Sequence, residues 1–139
     1  MSCIFCRIIS GETPAQVVAR DEGSTAFLDV SPLADGHVLV IPHAHVARLE
    51  DLEPTDADTL LRAVRQLSGP IRTAVGADGT TIGINDGEAT GQTVPHVHVH
   101  IVPRWTGDGA GSVHSIFPNG DRRDVAEVGE AIRAELERR

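Results

Sequence analysis

The chain has no lysine and no tyrosine: all twelve of its basic residues are arginine. That excludes a P-loop lysine, a Schiff-base lysine and a Ser–Lys dyad. Any anion must be handled by Arg, His, backbone amides or a metal. Aromatic residues amount to 3% of the sequence, so a core has to be built from Val, Ile, Leu and Ala. No apolar run approaches the ~20 residues that span a bilayer. The opening MSCIFCRIIS lacks the basic start and long apolar stretch of a secretory signal, so the expected compartment is cytoplasmic. Positive charge is in deficit, with a formal net charge of −8, which argues against nucleic acid or an anionic membrane as partner.

What is present suffices for one domain. At 139 residues and 40% hydrophobic, the chain can bury one core and is short for two. Cys3–Ile9 reads as a short helical turn. Gln16–Arg20 and Ser24–Asp29 flank the turn residues Asp21, Glu22 and Gly23 and predict a hairpin. His37–Pro42 is apolar on both faces, as a covered strand would be. Thr55, with Asp58 three residues on, predicts a helix start, and Leu60, Leu61, Val64 and Leu67 follow at helical spacing. Gly69-Pro70 should end or kink that helix. Thr80–Asn85 reads as a strand, and the loop Asp86–Gln92 precedes PHVHVHIVPR. A final helix from about 121 to 138 carries Val125, Val128, Ile132 and Leu136 on one side. The prediction is one α+β domain over residues 1–139, with the last helix as an extension.

The segment PHVHVHIVPR puts His96, His98 and His100 on one strand face and Val97, Val99 and Ile101 on the other. Cα atoms two apart in a strand lie roughly 6.6 Å from each other, and four apart roughly 13 Å. Three such histidines do not easily converge on one tetrahedral ion. They read as adjacent stations with separate tasks. Cys3 and Cys6 have the Cys-x-x-Cys spacing of half a zinc site, for which any of the seven histidines could complete the set. Two buried thiols in a small apolar turn is the plain alternative.

Three segments in this order, CIFCRII, AFLDVSPLADGHVLVIPHAH and INDGEATGQTVPHVHVHIVPR, resemble the histidine triad (HIT) family, and within it the bacterial Hint-like branch. The resemblance covers most of the chain. It implies the HIT fold, an antiparallel five-stranded sheet with one main helix and a C-terminal helix, and usually a homodimer. It also implies a nucleotide hydrolase or transferase acting at the α-phosphate. Purine nucleoside phosphoramidase is the leading expectation, diadenosine-polyphosphate hydrolase the enzymatic alternative, and a nucleotide-binding adaptor with incidental catalysis the alternative of another class.

Carried over residue by residue, the resemblance makes His98 the nucleophile of a covalent nucleotidyl–histidine intermediate. His100 and His37 would face the phosphate oxygens, and Thr93 stands where relatives often have a Ser that helps protonate the leaving group. Asp29 matches the acid that accepts from the ribose, Phe27 and Val30 the base pocket, and Asn85 and Gln92 positions near the phosphate. Cys3, Cys6, His45 and His96 match the ligands of a structural zinc, which would clamp the N-terminal segment and take no part in the chemistry. Leu28 stands where some relatives have His, which implies a different nucleoside pocket.

Overall fold

Asp21 turns the chain back on itself. Its Oδ1 accepts from the amides of Gly23 (2.8 Å) and Ser24 (2.7 Å) and from the Ser24 hydroxyl (3.0 Å). This Asx turn closes the hairpin of β1 (Val17–Arg20) and β2 (Ser24–Leu28). The structure is a computed structural model, and residues 2–139 are described. They form two units, one ending at Asp108 and the other spanning Gly109–Arg139.

In the first unit β2 pairs with β3 (Val38–Pro42), β3 with β5 (Val99–Arg104), and β5 with β4 (Gly79–Gly83), all antiparallel. The sheet order is β1-β2-β3-β5-β4, which leaves β4 at an edge. Alternation along β3 and β5 sends Val38, Val40, Val99 and Ile101 to one face, where α2 (Pro54–Ala74) covers them with Leu60, Ala63 and Val64. The opposite parity of β2 and β3 gives Phe27, Leu39 and Ile41, which pack with Phe5 and Ile8 of α1 (Ile4–Ile9). β3 is thus buried on both faces, as its continuous apolar run requires.

Helix α2 starts earlier than the pattern predicts. Pro54 occupies the first turn and Glu53 is the N-cap, with no side-chain cap bond. A proline at this position needs no amide and is preset for the helix, so Thr55 is not required as a cap. The helix runs through Pro70 to Ala74, because Ile71 still packs on the core beyond it. Gly36, at φ +84°, sits where a Cβ would meet Val75 and Pro103 at 3.0 and 3.1 Å. The turn into His37 therefore needs glycine.

In the second unit, α3 (Val125–Glu137) carries Val125, Ile132 and Leu136 as exposed apolar residues, and its start lies four residues after the expected Asp121. Among the described residues, no helix is long and apolar enough to cross a membrane.

Candidate active site and metal centre

The register of β5 against its neighbours places the three histidines. Leu39 lies opposite His100, and Gly83 lies opposite it on the other side. His96 and His98 precede the first ladder pair of β5, yet both rings stand against the same Phe5, at centroid distances of 5.8 and 5.0 Å. His98 and His100 are 5.0 Å apart. The three rings thus line one face, as alternation requires.

Their hydrogen bonds separate them. The His98 Nδ1–H donates to the His96 carbonyl at 2.8 Å. A carbonyl can only accept, so in the neutral ring Nε2 keeps a lone pair. The His96 Nε2–H donates to the Pro42 carbonyl at 2.8 Å, which leaves Nδ1 with the lone pair. His100 is set through a relay. The Leu33 amide donates to His37 Nδ1 at 3.0 Å, so His37 carries its proton on Nε2 and donates it to His100 Nδ1 at 2.9 Å. His100 must then carry its own proton on Nε2, a buried donor with no partner. One orphaned donor beside a nucleophilic nitrogen is what a phosphoryl oxygen would satisfy.

Burial, with His98 and His37 nearby, pushes the His100 pKa down to about 4, and burial also lowers that of His37. The relay is therefore uncharged at neutral pH. Asp29, His37 and His100 cluster closely enough to suggest a second metal site. The relay excludes it, because His37 Nδ1 is occupied by the Leu33 amide and Nε2 by a proton.

Asp29 divides its two oxygens. Oδ1 accepts from the Ser31 amide at 2.9 Å in a turn, while Oδ2 lies 3.7 Å from His37 Nε2. A cavity of about 360 Å³ opens beside it, lined by Phe5, Phe27, Asp29, Val30, Thr93 and His98 among others. That volume is in the range of small-molecule sites. Val30 is 91% exposed at its edge, an apolar surface that a flat base would cover.

Thr93 is exposed at the rim. Asn85 is exposed just beyond β4. The β4–β5 ladder ends at the Gly83–His100 pair, and Asn85 lies two residues beyond it. Gln92 turns inward. Its oxygen accepts from the Gly87 amide at 2.7 Å, and its nitrogen donates to the carbonyls of Ala47 (2.9 Å) and Val94 (3.1 Å). It holds the loop that carries Thr93 in shape.

At the other end of the triad, Cys3, Cys6, His45 and His96 bring four ligand atoms within 4.8 Å of one another. Cys3 is the N-cap of α1, and its sulfur accepts from the Cys6 amide at 3.5 Å, so the Cys-x-x-Cys spacing builds the turn that gathers both thiols. His45 Nδ1 and His96 Nδ1 are 3.3 Å apart; Cys6 Sγ lies 3.3 Å from His45 Nδ1 and 3.7 Å from His96 Nδ1, and Cys3 Sγ lies 3.6 Å from His96 Nδ1. A tetrahedral zinc with Zn–N near 2.0 Å and Zn–S near 2.3 Å has edges of about 3.3 and 3.5 Å. The donor set fits. His43 is not part of it, since its Nε2 meets the Thr25 hydroxyl at 2.8 Å.

Residues 10–107 match the family model described as the HIT domain. The chain belongs to the HIT family. An asymmetrical bis(5'-nucleosyl)-tetraphosphatase of Schizosaccharomyces pombe is 47% identical over 94 residues, covering 68% of this chain and 52% of that protein. The adenosine 5'-monophosphoramidase of the same yeast is 38% identical over 104 residues, 75% of each chain. A zinc-bound histidine triad protein of Mycobacterium smegmatis superposes with a TM-score of 0.76 at 38% identity, covering 99% of this chain and 96% of that one. The five-stranded antiparallel sheet with its helices is thus the HIT fold.

Three further groups contribute to this HIT site, the Leu33 amide, the Pro42 carbonyl and the Phe5 ring. The Leu33 amide and the Pro42 carbonyl are backbone groups and leave no mark in residue identity. Phe5 did leave one, since it sits between the two cysteines.

Proposed function

We propose that this HIT protein hydrolyses or transfers nucleotides at the α-phosphate through a covalent nucleotidyl intermediate on His98, with purine nucleoside phosphoramidates as the substrate class. The observation that carries this reading is the pairing of a lone pair on His98 Nε2 with an orphaned proton on His100 Nε2. His98 Nε2 attacks phosphorus, a P–N bond forms to the ring, and the bond from phosphorus to the leaving amine breaks. The amine departs with a proton supplied at the rim, where Thr93 stands. Water then attacks phosphorus as the P–N bond to His98 breaks, gives a proton back to the rim group that protonated the amine, releases the nucleoside monophosphate and returns His98 to its neutral form. His100 donates to a phosphoryl oxygen throughout, and Asn85 faces the same region. Asp29 Oδ2 accepts from the ribose, while Phe27 and Val30 bracket the base. Gln92 acts through the loop it braces.

The yeast phosphoramidase supports the amine as leaving group, and the tetraphosphatase supports a nucleotide in its place. On this reading both substrate classes would undergo the same attack by His98 and differ only in what leaves. The Cys3, Cys6, His45 and His96 set would hold zinc. With four protein ligands the ion would have no open position and would tie α1 to the sheet. We also read β4 as the seam of a homodimer, since this edge strand carries exposed Ile82, which shares a cleft with exposed Leu61 and Leu49. The segment 109–139 lies outside the matched residues 10–107 and is read as an extension of the same domain.

The test is incubation with adenosine phosphoramidate, followed by a search for an acid-labile nucleotide adduct. An adduct in the wild type that is lost in His98→Ala supports the reading. Full turnover by His98→Ala defeats it.

A further inference from the structure

Phe5 lies on α1, between the two thiols, and is 6% exposed. Its ring stands nearly perpendicular to that of His98, at 81° with centroids 5.0 Å apart. It also meets His96 at 75° and Phe27 at 67°. His98 has one hydrogen bond through Nδ1, about which an imidazole can still pivot. Phe5 on one side and His100 on another remove that freedom.

Helix α1 has six residues, too few to be stable alone. It packs on the sheet through Phe5 and Ile8, and a metal held by Cys3, Cys6, His45 and His96 would tie it there as well. We propose that Phe5 is a positioning residue for His98, and that the four-ligand cluster governs His98 through it: the metal fixes α1, α1 fixes Phe5, and Phe5 holds the imidazole in line. The inference rests on His98 being the nucleophile. It gives the metal cluster a consequence for the chemistry although the ion touches neither substrate nor reacting nitrogen. It also accounts for a metal ligand and a nucleophile two residues apart with one aromatic ring against both.

The experiment compares wild type and Phe5→Leu, each zinc-loaded and after chelation. It reads the two-bond proton–nitrogen correlations of the His98 ring and, separately, kcat and KM. In zinc-loaded wild type, His98 should give the pattern of a single Nδ1–H tautomer. Phe5→Leu should show averaged His98 signals and a kcat lower by about tenfold with a smaller change in KM. Chelation of the wild type should reproduce the averaged signals, and chelation of Phe5→Leu should add little, because the link is already cut. Wild-type His98 signals in zinc-loaded Phe5→Leu would overturn the proposal, as would unchanged signals in folded, chelated wild type. If chelation unfolds the chain by circular dichroism, the zinc-loaded Phe5→Leu spectrum decides alone. The spectrum needs no turnover, so a Phe5-dependent His98 signature alongside full turnover by His98→Ala would refute the function and leave the packing link standing.

Discussion

The two ends of the triad are made of the same side chain and do opposite things. At the metal end, the Pro42 carbonyl takes the proton of His96 Nε2 and presents Nδ1 to two thiols and His45. At the reactive end, the His96 carbonyl takes the proton of His98 Nδ1 and presents Nε2 to the cavity. His100 is the third case, since its Nδ1 accepts and its Nε2 carries a buried proton without a partner. On the proposed reading, one strand face thus holds a metal donor, a nucleophile and a hydrogen-bond donor. The difference comes from which backbone or imidazole group meets each ring, and residue type alone does not set it.

The sharpest way to break this comparison is to remove one ring from each end. His98→Ala should lower turnover by about 10⁴-fold while leaving bound zinc at one per chain. Metal analysis beside steady-state kinetics checks both halves, and zinc loss in this variant would show that the ends are not separable. His37→Ala should follow in size. It leaves His100 Nδ1 without its donor, frees the ring to change tautomer, and should lower kcat about 100-fold with little change in nucleotide affinity. Titration calorimetry with a nucleoside monophosphate separates these effects.

Cys6→Ala addresses the other end. Bound zinc should fall to near zero and the thermal midpoint by about 10 °C, with kcat down about tenfold through the loosened α1. An unchanged midpoint would leave the thiols as mere core sulfur. Asp29→Asn should be milder, raising KM about fivefold with kcat nearly constant, because it weakens a ribose contact that binds ground state and transition state alike. A large fall in kcat would instead tie Asp29 to the His37 relay.

The relay also sets how stability depends on pH. His100 titrates at about 4 in the fold, against an ordinary 6.5, and His37 is lowered too. Between those values the unfolded chain binds more protons than the folded one, so stability rises with pH across the window. The contribution is fully present above about 6.5 and is lost as pH falls through about 4. Urea midpoints should drop over this range, and His100→Gln should flatten the slope. An unchanged slope would mean that the relay is not buried in the neutral state.

Much of this was legible before any coordinates. The alternation in VHVHIV set the strand and the shared face, because a two-residue period allows no other assignment. Cys3 and Cys6 announced a metal half-site, and their spacing proved to be a capped helical turn. Helix α2 was legible over most of its length; Pro54 starts it in place of a Thr55 cap, and of the two outcomes open at Pro70 the helix does not end there. Local signals at termini are weak, and the packing of Ile71 outweighs them. Asp29 and Asn85 were each readable as ordinary turn residues, and Asp29 does serve a turn with one oxygen.

The sequence by itself determined the residue types, the strand face and the pair of thiols. It also excluded lysine chemistry, since the chain contains none. Only the tertiary structure decided which nitrogen of each histidine is free. For His96 and His100 that choice depends on a carbonyl from Pro42 and, through His37, on an amide from Leu33, which the sequence places 54 and 67 positions away. Backbone donors and acceptors are the same at every residue, so their effect is set by where folding puts them.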